Sequence, residues 1–349
     1  MKQFKLIPLL AAIACPLYAG AQSSVTLYGI VDLAVASENH GSGNVTSLTN
    51  IGVPSRLGVR GTEDLGGGLQ ATFNLEGALN PDTGTGLAAG GGLNFQRIST
   101  VGLKGSFGEV KLGRDYTPAF MAIREHDALT YFYYNNMATY TVGAGGATTR
   151  YSNGIFYVSP QISGLTVRAA YAMGEKAAGN NNIGNAFGLA AIYNVGKLTL
   201  DAFHQVDQVN TGTATAAVAG SKKMSGLGGR YDFGVARVYA GYGRNSTETV
   251  YGKNTALNLG VSVPVGNGEV LAQIIRLEQD VQAGVDPKAT GWGVTYRHFL
   301  SKRSTVYATA GQMRNNDSGR FSLLSAQVNP TPAAGKDPRG LAVGITHSF

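Results

Sequence analysis

Residues Gly340–Phe349 read GLAVGITHSF. Side chains of an extended chain alternate between two faces. Leu341, Val343, Ile345, His347 and Phe349 therefore share one side, and Ala342, Gly344, Thr346 and Ser348 the other. The stretch reads as a β-strand with one apolar face and an aromatic last residue. Unpaired strand edges expose backbone N–H and C=O groups, so such a strand requires neighbours.

Neighbours are abundant. Val25, Leu27, Gly29, Val31, Leu33 and Val35 alternate with Thr26, Tyr28, Ile30, Asp32 and Ala34, and the pattern recurs in Ala190–Gln205, Tyr231–Arg244, Ala256–Val263, Val270–Asp280, Gly291–Phe299 and Ser304–Arg314. Helical periodicity is almost absent. Composition agrees: 50 glycines and 17 tyrosines in 349 residues, with only 14% charged side chains, against about 25% in a typical soluble domain. After Ala21 no run supplies the roughly 20 apolar residues of a spanning helix.

The connections alternate in length. Short ones are Glu63–Gly67, Ser106–Gly108, Pro160–Gly164, Val195–Gly196, Phe233–Gly234, Pro264–Gly268 and Leu300–Arg303. Long ones are Ser37–Val53, Asn80–Leu93, Asp115–Thr149, Gly174–Ala186, Asp207–Lys222, Asn245–Lys253, Val281–Ala289 and Asn315–Asp337. Seven short and eight long connections separate sixteen strands. An all-β, antiparallel, transmembrane barrel has this plan, with turns at the periplasmic rim and loops at the other. A sheet in lipid must close, because open edges leave backbone groups unpaired. A soluble β-sandwich also alternates in hydropathy, but has no reason to alternate its loop lengths. No fixed repeat points to a solenoid.

The first 21 residues read as a cleaved signal peptide: Lys2 and Lys5, an apolar run Leu6–Leu17, then Ala19-Gly20-Ala21. A lipoprotein cysteine at Cys15 fits poorly, since Ala12-Ile13-Ala14 is a weak match and the apolar run continues past it. Cleavage leaves residues 22–349 as the barrel, removes the one cysteine, and lowers the formal net charge from +7 to +5. The remaining cations are dispersed, so nucleic acid is not an expected partner. Thr83–Gly92 (TGTGLAAGGG) lacks the Lys-Ser/Thr of a phosphate loop. His40, His126, His204, His298 and His347 have no metal-ligand spacing. No nucleophile elbow occurs, and neither an enzyme nor a cofactor is expected.

Several segments together carry a resemblance: SSVTLYGIVDLAV at the mature start, SRLGVRGTEDLGGGLQATFNLE at 55–76, RISTVGLKGSFGEVKLGRDYTP at 97–118, and the terminal Phe349. The chain resembles the Gram-negative general diffusion porins of the β-proteobacterial type. The resemblance implies a homotrimer of 16-stranded barrels in the outer membrane. It implies a water-filled pore narrowed by the inward-folded third loop (about 115–149), with wall arginines facing that loop. Anion preference is common in this branch.

Alternation gives the wall charges directly. Arg56 and Arg60 alternate with Leu57 and Val59. An arginine on the lipid face near the midplane costs about 2–4 kcal/mol, so both should point inward. Placing Arg97 inward also puts Ser99 and Val101 inward, leaving Ile98, Thr100 and Gly102 as a small-residue outer face suited to subunit contact. Arg150 opens the next strand, and Arg168 alternates with Val167 and Ala169. By motif, the resemblance assigns Arg56, Arg97 and Arg150 to the constriction, with Arg60 and Arg168 as weaker matches. In the loop, Thr117–Ala128 (TPAFMAIREHDA) reads as a Thr-capped helix with Pro118 first. Arg124, Glu125 and Asp127 are its charged members, the two acids being expected to face the arginines, with Glu76 and Asp115 as nearby offsets. Tyr131, Phe132, Tyr133, Tyr134 and Tyr140 should pin the loop. Tyr28, Tyr239, Tyr242, Trp292, Tyr296 and Phe299 are expected in interfacial girdles. Surplus positive charge in a narrow lumen selects anions.

The expected function is passive passage of small hydrophilic solutes and anions. Alternatives are a selective channel for phosphate or organic acids, or a barrel that binds partners through its long loops. The expected partners are further copies of the chain, outer-membrane lipid, and barrel-assembly machinery reading the last strand and Phe349.

Overall fold

A computed structural model of the protein describes residues 23–86, 88–130, 132–137, 148–175, 182–210, 218–247, 253–281, 283–324 and 331–349. The expected signal peptide, Tyr131 and Tyr140 lie outside them. The strands are β1 (Ser24–Asn39), β2 (Asn44–Thr49), β3 (Arg56–Gly66), β4 (Leu69–Asn80), β5 (Thr85–Gly86), β6 (Ile98–Gly105), β7 (Gly108–Tyr116), β8 (Arg150–Val158) and β9 (Leu165–Ala172). They continue as β10 (Ala186–Val195), β11 (Leu198–Asn210), β12 (Ala219–Asp232), β13 (Arg237–Thr247), β14 (Lys253–Val265), β15 (Gly268–Asp280), β16 (Lys288–Phe299), β17 (Ser304–Asn315) and β18 (Arg339–Ser348). One short helix, α1 (Pro118–Ile123), follows β7.

Neighbours in sequence pair antiparallel, and β1 pairs with β18 from Ile30↔Ser348 to Asn39↔Arg339, so the sheet closes on itself. β2 pairs with the upper half of β1 and β3 with its lower half. They are one stave interrupted at 50–55, where the Ile51 and Gly52 amides donate to Asp32 Oδ1 instead of a neighbouring strand. β5 is a two-residue ladder within a loop. The barrel therefore has the sixteen staves the loop pattern required.

Burial is inverted relative to a soluble protein. Leu27, Leu227, Leu257, Ile274 and Val343 are exposed, whereas Asp201, Gln205, Asn258, Gln273 and Thr309 are buried. Soluble folds bury the first set and expose the second. An apolar outer face and a polar interior are what a barrel in lipid needs. The closing strand fits this. Leu341, Val343 and Ile345 are exposed, and Thr346 bonds inward to Asp32. Phe349 exchanges both backbone hydrogen bonds with Gly29. Its ring lies 2.4 Å from where a Cβ on Gly29 would stand.

After α1 the chain crosses the interior. His126 meets Gly228 and Gly241, Ala128 meets Gly260, and Tyr134 meets Gly293, Gly311 and Gly340; at each glycine an added Cβ would approach these groups to 2.1–2.9 Å. These glycines line up across β12–β18: Gly228↔Gly241 and Gly293↔Gly311↔Gly340 are register partners. Side chains there would occupy the space of the loop. Much of the glycine richness on these strands thus has a steric cause.

Three expectations need correcting. Arg97 precedes β6 rather than lying in it. Its amide bonds Glu76 O, and regular alternation starts one residue later. Ile98, Thr100 and Lys104 therefore line the interior, while Val101 and Leu103 are exposed. The small-residue outer face inferred for this strand does not exist. Tyr28 and Tyr239 face inward, bonding Asn74 and Glu76, and Ser262. Trp292 and Tyr296 are exposed on the outer face as expected. The loop helix ends at Ile123, and Arg124 is its C-cap.

Candidate functional site

β3, β4, the approach to β6, and β7 and β8 are consecutive staves, so lumen side chains at one level of them converge. Arg56 Nη1 lies 3.8 Å from Glu76 Oε2. Arg97 Nε donates to Glu76 Oε1 at 2.7 Å. Arg97 Nη2 and Arg150 Nη2 donate to the Tyr116 hydroxyl at 2.7 and 2.6 Å. The Arg150 guanidinium also stacks 4.2 Å from the centroid of that ring. On the loop, Phe120 of α1 stacks on Tyr116 with centroids 4.5 Å apart and planes at 14°. Three guanidiniums thus share one carboxylate and one phenol. The sequence signal for Tyr116 was slight, because its role depends on strands that meet only in the closed barrel. A register shift between Gly113 and Asp115 precedes it, the kind of bulge that re-aims side chains near functional sites.

The cluster has spare hydrogen-bonding capacity. Arg150 Nε and Arg168 Nε are buried with no hydrogen-bond partner among the described residues, and a buried donor without a partner is costly. Arg168 and Arg124 line a cavity with Lys111, Asp115, Tyr116 and Met121. Lys111 is paired with Asp115. Nearer the short-turn rim, Arg60 lines a second hollow with Lys104, Thr26, Thr62 and Asn74. Its guanidinium lies 5.0 Å from the Tyr28 ring.

The loop acids bond none of Arg56, Arg97 and Arg150, although Glu125 lies within electrostatic reach of Arg168. Glu125 pairs with Arg230 of β12 at 2.5 Å, and that guanidinium also takes the Glu125 carbonyl. Asp127 is buried and accepts the Leu129 and Met137 amides, each at 3.0 Å. Burial pushes its carboxyl up to about 6. Asp127 organises the loop internally, as a carboxylate two residues before an amide often does. Anchoring falls to groups the sequence did not single out. His126 Nδ1 meets both Asp201 carboxylate oxygens at 2.9 Å, fully buried. Gln273 accepts from the Ala128 amide and donates to Asn135 O, while Asn135 donates to Trp292 O. Tyr133 and Tyr134 are buried in the same core, consistent with pinning. Among the described residues no group of histidines, cysteines and carboxylates could hold a metal ion.

A closed barrel with an apolar exterior, a polar interior and charges gathered across its lumen defines a membrane channel. The chain belongs to the Gram-negative porin family, whose model matches residues 9–318. It is 35% identical to outer membrane porin protein 32 of Delftia acidovorans, over 97% of this chain and 98% of that protein. It is 27% identical to an outer membrane porin protein of Bordetella pertussis, over 98% and 99% of the two chains. Among solved structures, an anion-selective porin from Comamonas acidovorans superposes with a TM-score of 0.82 at 33% identity, covering 94% of this chain and all of that one. The protein is an outer-membrane porin, a diffusion channel of the Gram-negative envelope. Its relatives are channels rather than enzymes.

Proposed function

We propose that the channel is a general diffusion pore with a preference for anions, narrowed by the third loop (about 115–149), with Arg56, Arg97 and Arg150 as its selectivity element. One observation carries this reading: Arg56 and Arg97 share a single carboxylate, Glu76, Arg150 joins them through the Tyr116 hydroxyl, and the loop acids are paired or bonded elsewhere. The wall therefore keeps a positive excess where the loop crosses. Low-dielectric walls focus such a field, and a charged ring of one sign admits the other. Arg124 and Arg168 extend the positive surface across the adjoining cavity, and Arg60 extends it toward the short-turn rim. The anion selectivity named for the Comamonas porin supports the same sign.

Further parts of the reading are a leader at residues 1–21, a homotrimer, and recognition of Phe349 by assembly machinery. Reversal potential in a salt gradient across a planar bilayer tests the sign. The unpartnered Arg150 and Arg168 donors favour one second reading, a binding station for phosphate or organic acids. That reading requires saturable flux or current block by one anion class.

A further inference from the structure

The outer wall sorts its cations by height. On β12–β17, Lys223, Arg244, Lys253, Arg276, Lys288 and Arg314 all point outward, and each stands near a long connection. Lower on the same strands the cations turn inward: Arg230 bonds the loop, Arg297 pairs with Glu269, and Arg237 lines an interior hollow. The outward short-turn ends carry exposed Tyr231 and Tyr296 instead. A cation on the lipid face is costly at the midplane and nearly free at the interface. The long connections of an outer-membrane barrel lie on the extracellular side, so this row stands at the headgroups of the outer leaflet.

Charge compensation along the row is incomplete. Glu278 is held by Lys288 at 2.6 Å, and Asp280 sits in register beside Lys253. Arg276, Thr290 and Arg314 are register partners across three adjacent strands, all exposed. The two arginines are thus about 9–10 Å apart, two interstrand spacings. Their side chains make no hydrogen bond or ion pair with another described residue, and Arg276 lies within electrostatic reach of Lys288. Just below them are exposed Ile274 and Trp292. Guanidinium forks match phosphate oxygens in pairs, a threonine hydroxyl between them adds a donor, and an indole suits the edge of the acyl region.

We propose that Arg276, Thr290 and Arg314 form a site on the outer wall for a phosphorylated lipid headgroup of the outer leaflet, with its acyl chains over Ile274 and Trp292. The apolar band directly beneath selects a lipid over a free anion, because a free anion gains nothing from it. Basic groups at a membrane surface attract anionic lipid in this way.

The test is native mass spectrometry of the detergent-purified full-length oligomer titrated with diphosphorylated lipid A or its dephosphorylated form. The phosphorylated lipid should bind preferentially, and Arg276→Gln with Arg314→Gln should weaken it about tenfold or more, with single-channel conductance unchanged. Excess inorganic phosphate should leave the lipid bound. Equal uptake of both lipids, unchanged affinity in the double variant, or displacement by inorganic phosphate would overturn the site. Should the double variant fail to assemble, Thr290→Ala and Arg314→Lys must each weaken the phosphorylated lipid selectively, and absence of that effect refutes the proposal equally.

Discussion

Arg97 Nε donates to Glu76 Oε1 at 2.7 Å, and Arg56, Tyr116 and Arg150 are gathered around that bond. Glu76 is the one carboxylate of this group, with Arg56 on its other oxygen. Glu76→Gln should raise the anion-to-cation permeability ratio. A unit charge at about 4 Å is worth about 1 kcal/mol in water-like surroundings, or roughly fivefold. Reversal potentials in a KCl gradient measure the change, and a ratio that falls would remove Glu76 from the permeation path.

Arg150 is held twice by Tyr116, through its ring and through its hydroxyl. Tyr116→Phe keeps the stacking and deletes the hydrogen bonds to Arg97 and Arg150. Its open-channel current should become noisier and its anion preference should fall, since each lost bond to a charged group is worth about 1.5–3 kcal/mol in holding the guanidiniums in place. A quiet channel with native selectivity would show that the phenol positions nothing.

The loop is anchored by His126 on Asp201, both fully buried. Asp201→Ala strands the imidazole without its acceptor. Removing one partner of a buried pair costs about 3–5 kcal/mol, so the temperature at which the oligomer dissociates on a denaturing gel should fall. Conductance should become heterogeneous as the loop leaves the wall. An unchanged dissociation temperature together with a uniform conductance would contradict the anchor.

Gly241 tests the same contact from the wall. An added Cβ would stand 2.1 Å from His126 Cδ2. Gly241→Ala should destabilise by about 1–3 kcal/mol, the usual cost of overpacking, and displace the loop. Gly234 has open space around it but a φ of 89°. Gly234→Ala should therefore carry backbone strain yet leave channel properties unaltered. Thermal dissociation and single-channel recording on both variants separate the two effects.

Phe349 covers Gly29 across the closing seam. Phe349→Ala should lower the yield of assembled oligomer in the outer membrane more than the conductance of those that form. Normal yield would detach the residue from assembly.

The barrel was legible because its physics is local. Alternation of Leu57 and Val59 with Arg56 and Arg60 gives facing, and alternating loop lengths give topology. The wall arginines followed, since lipid excludes them from the other face. The loop contacts were illegible for the opposite reason. His126–Asp201 and Glu125–Arg230 join residues 75 and 105 positions apart, and nothing in the sequence states how the loop crosses. Asp127 looked like a pore charge until its carboxylate was seen taken by Leu129 and Met137. Arg97 showed the limit of alternation itself, because it sits just before β6 begins and so does not set the phase of that strand.

A positive throat built by Arg56, Arg97 and Arg150 would set the zero-current potential of the purified wild-type channel, measured in a planar bilayer at neutral pH under a tenfold KCl gradient. The expected sign is that of chloride-preferring flux, reduced stepwise in Arg97→Ala and in Arg97→Ala with Arg150→Ala. A potassium-preferring sign in the wild type would contradict it.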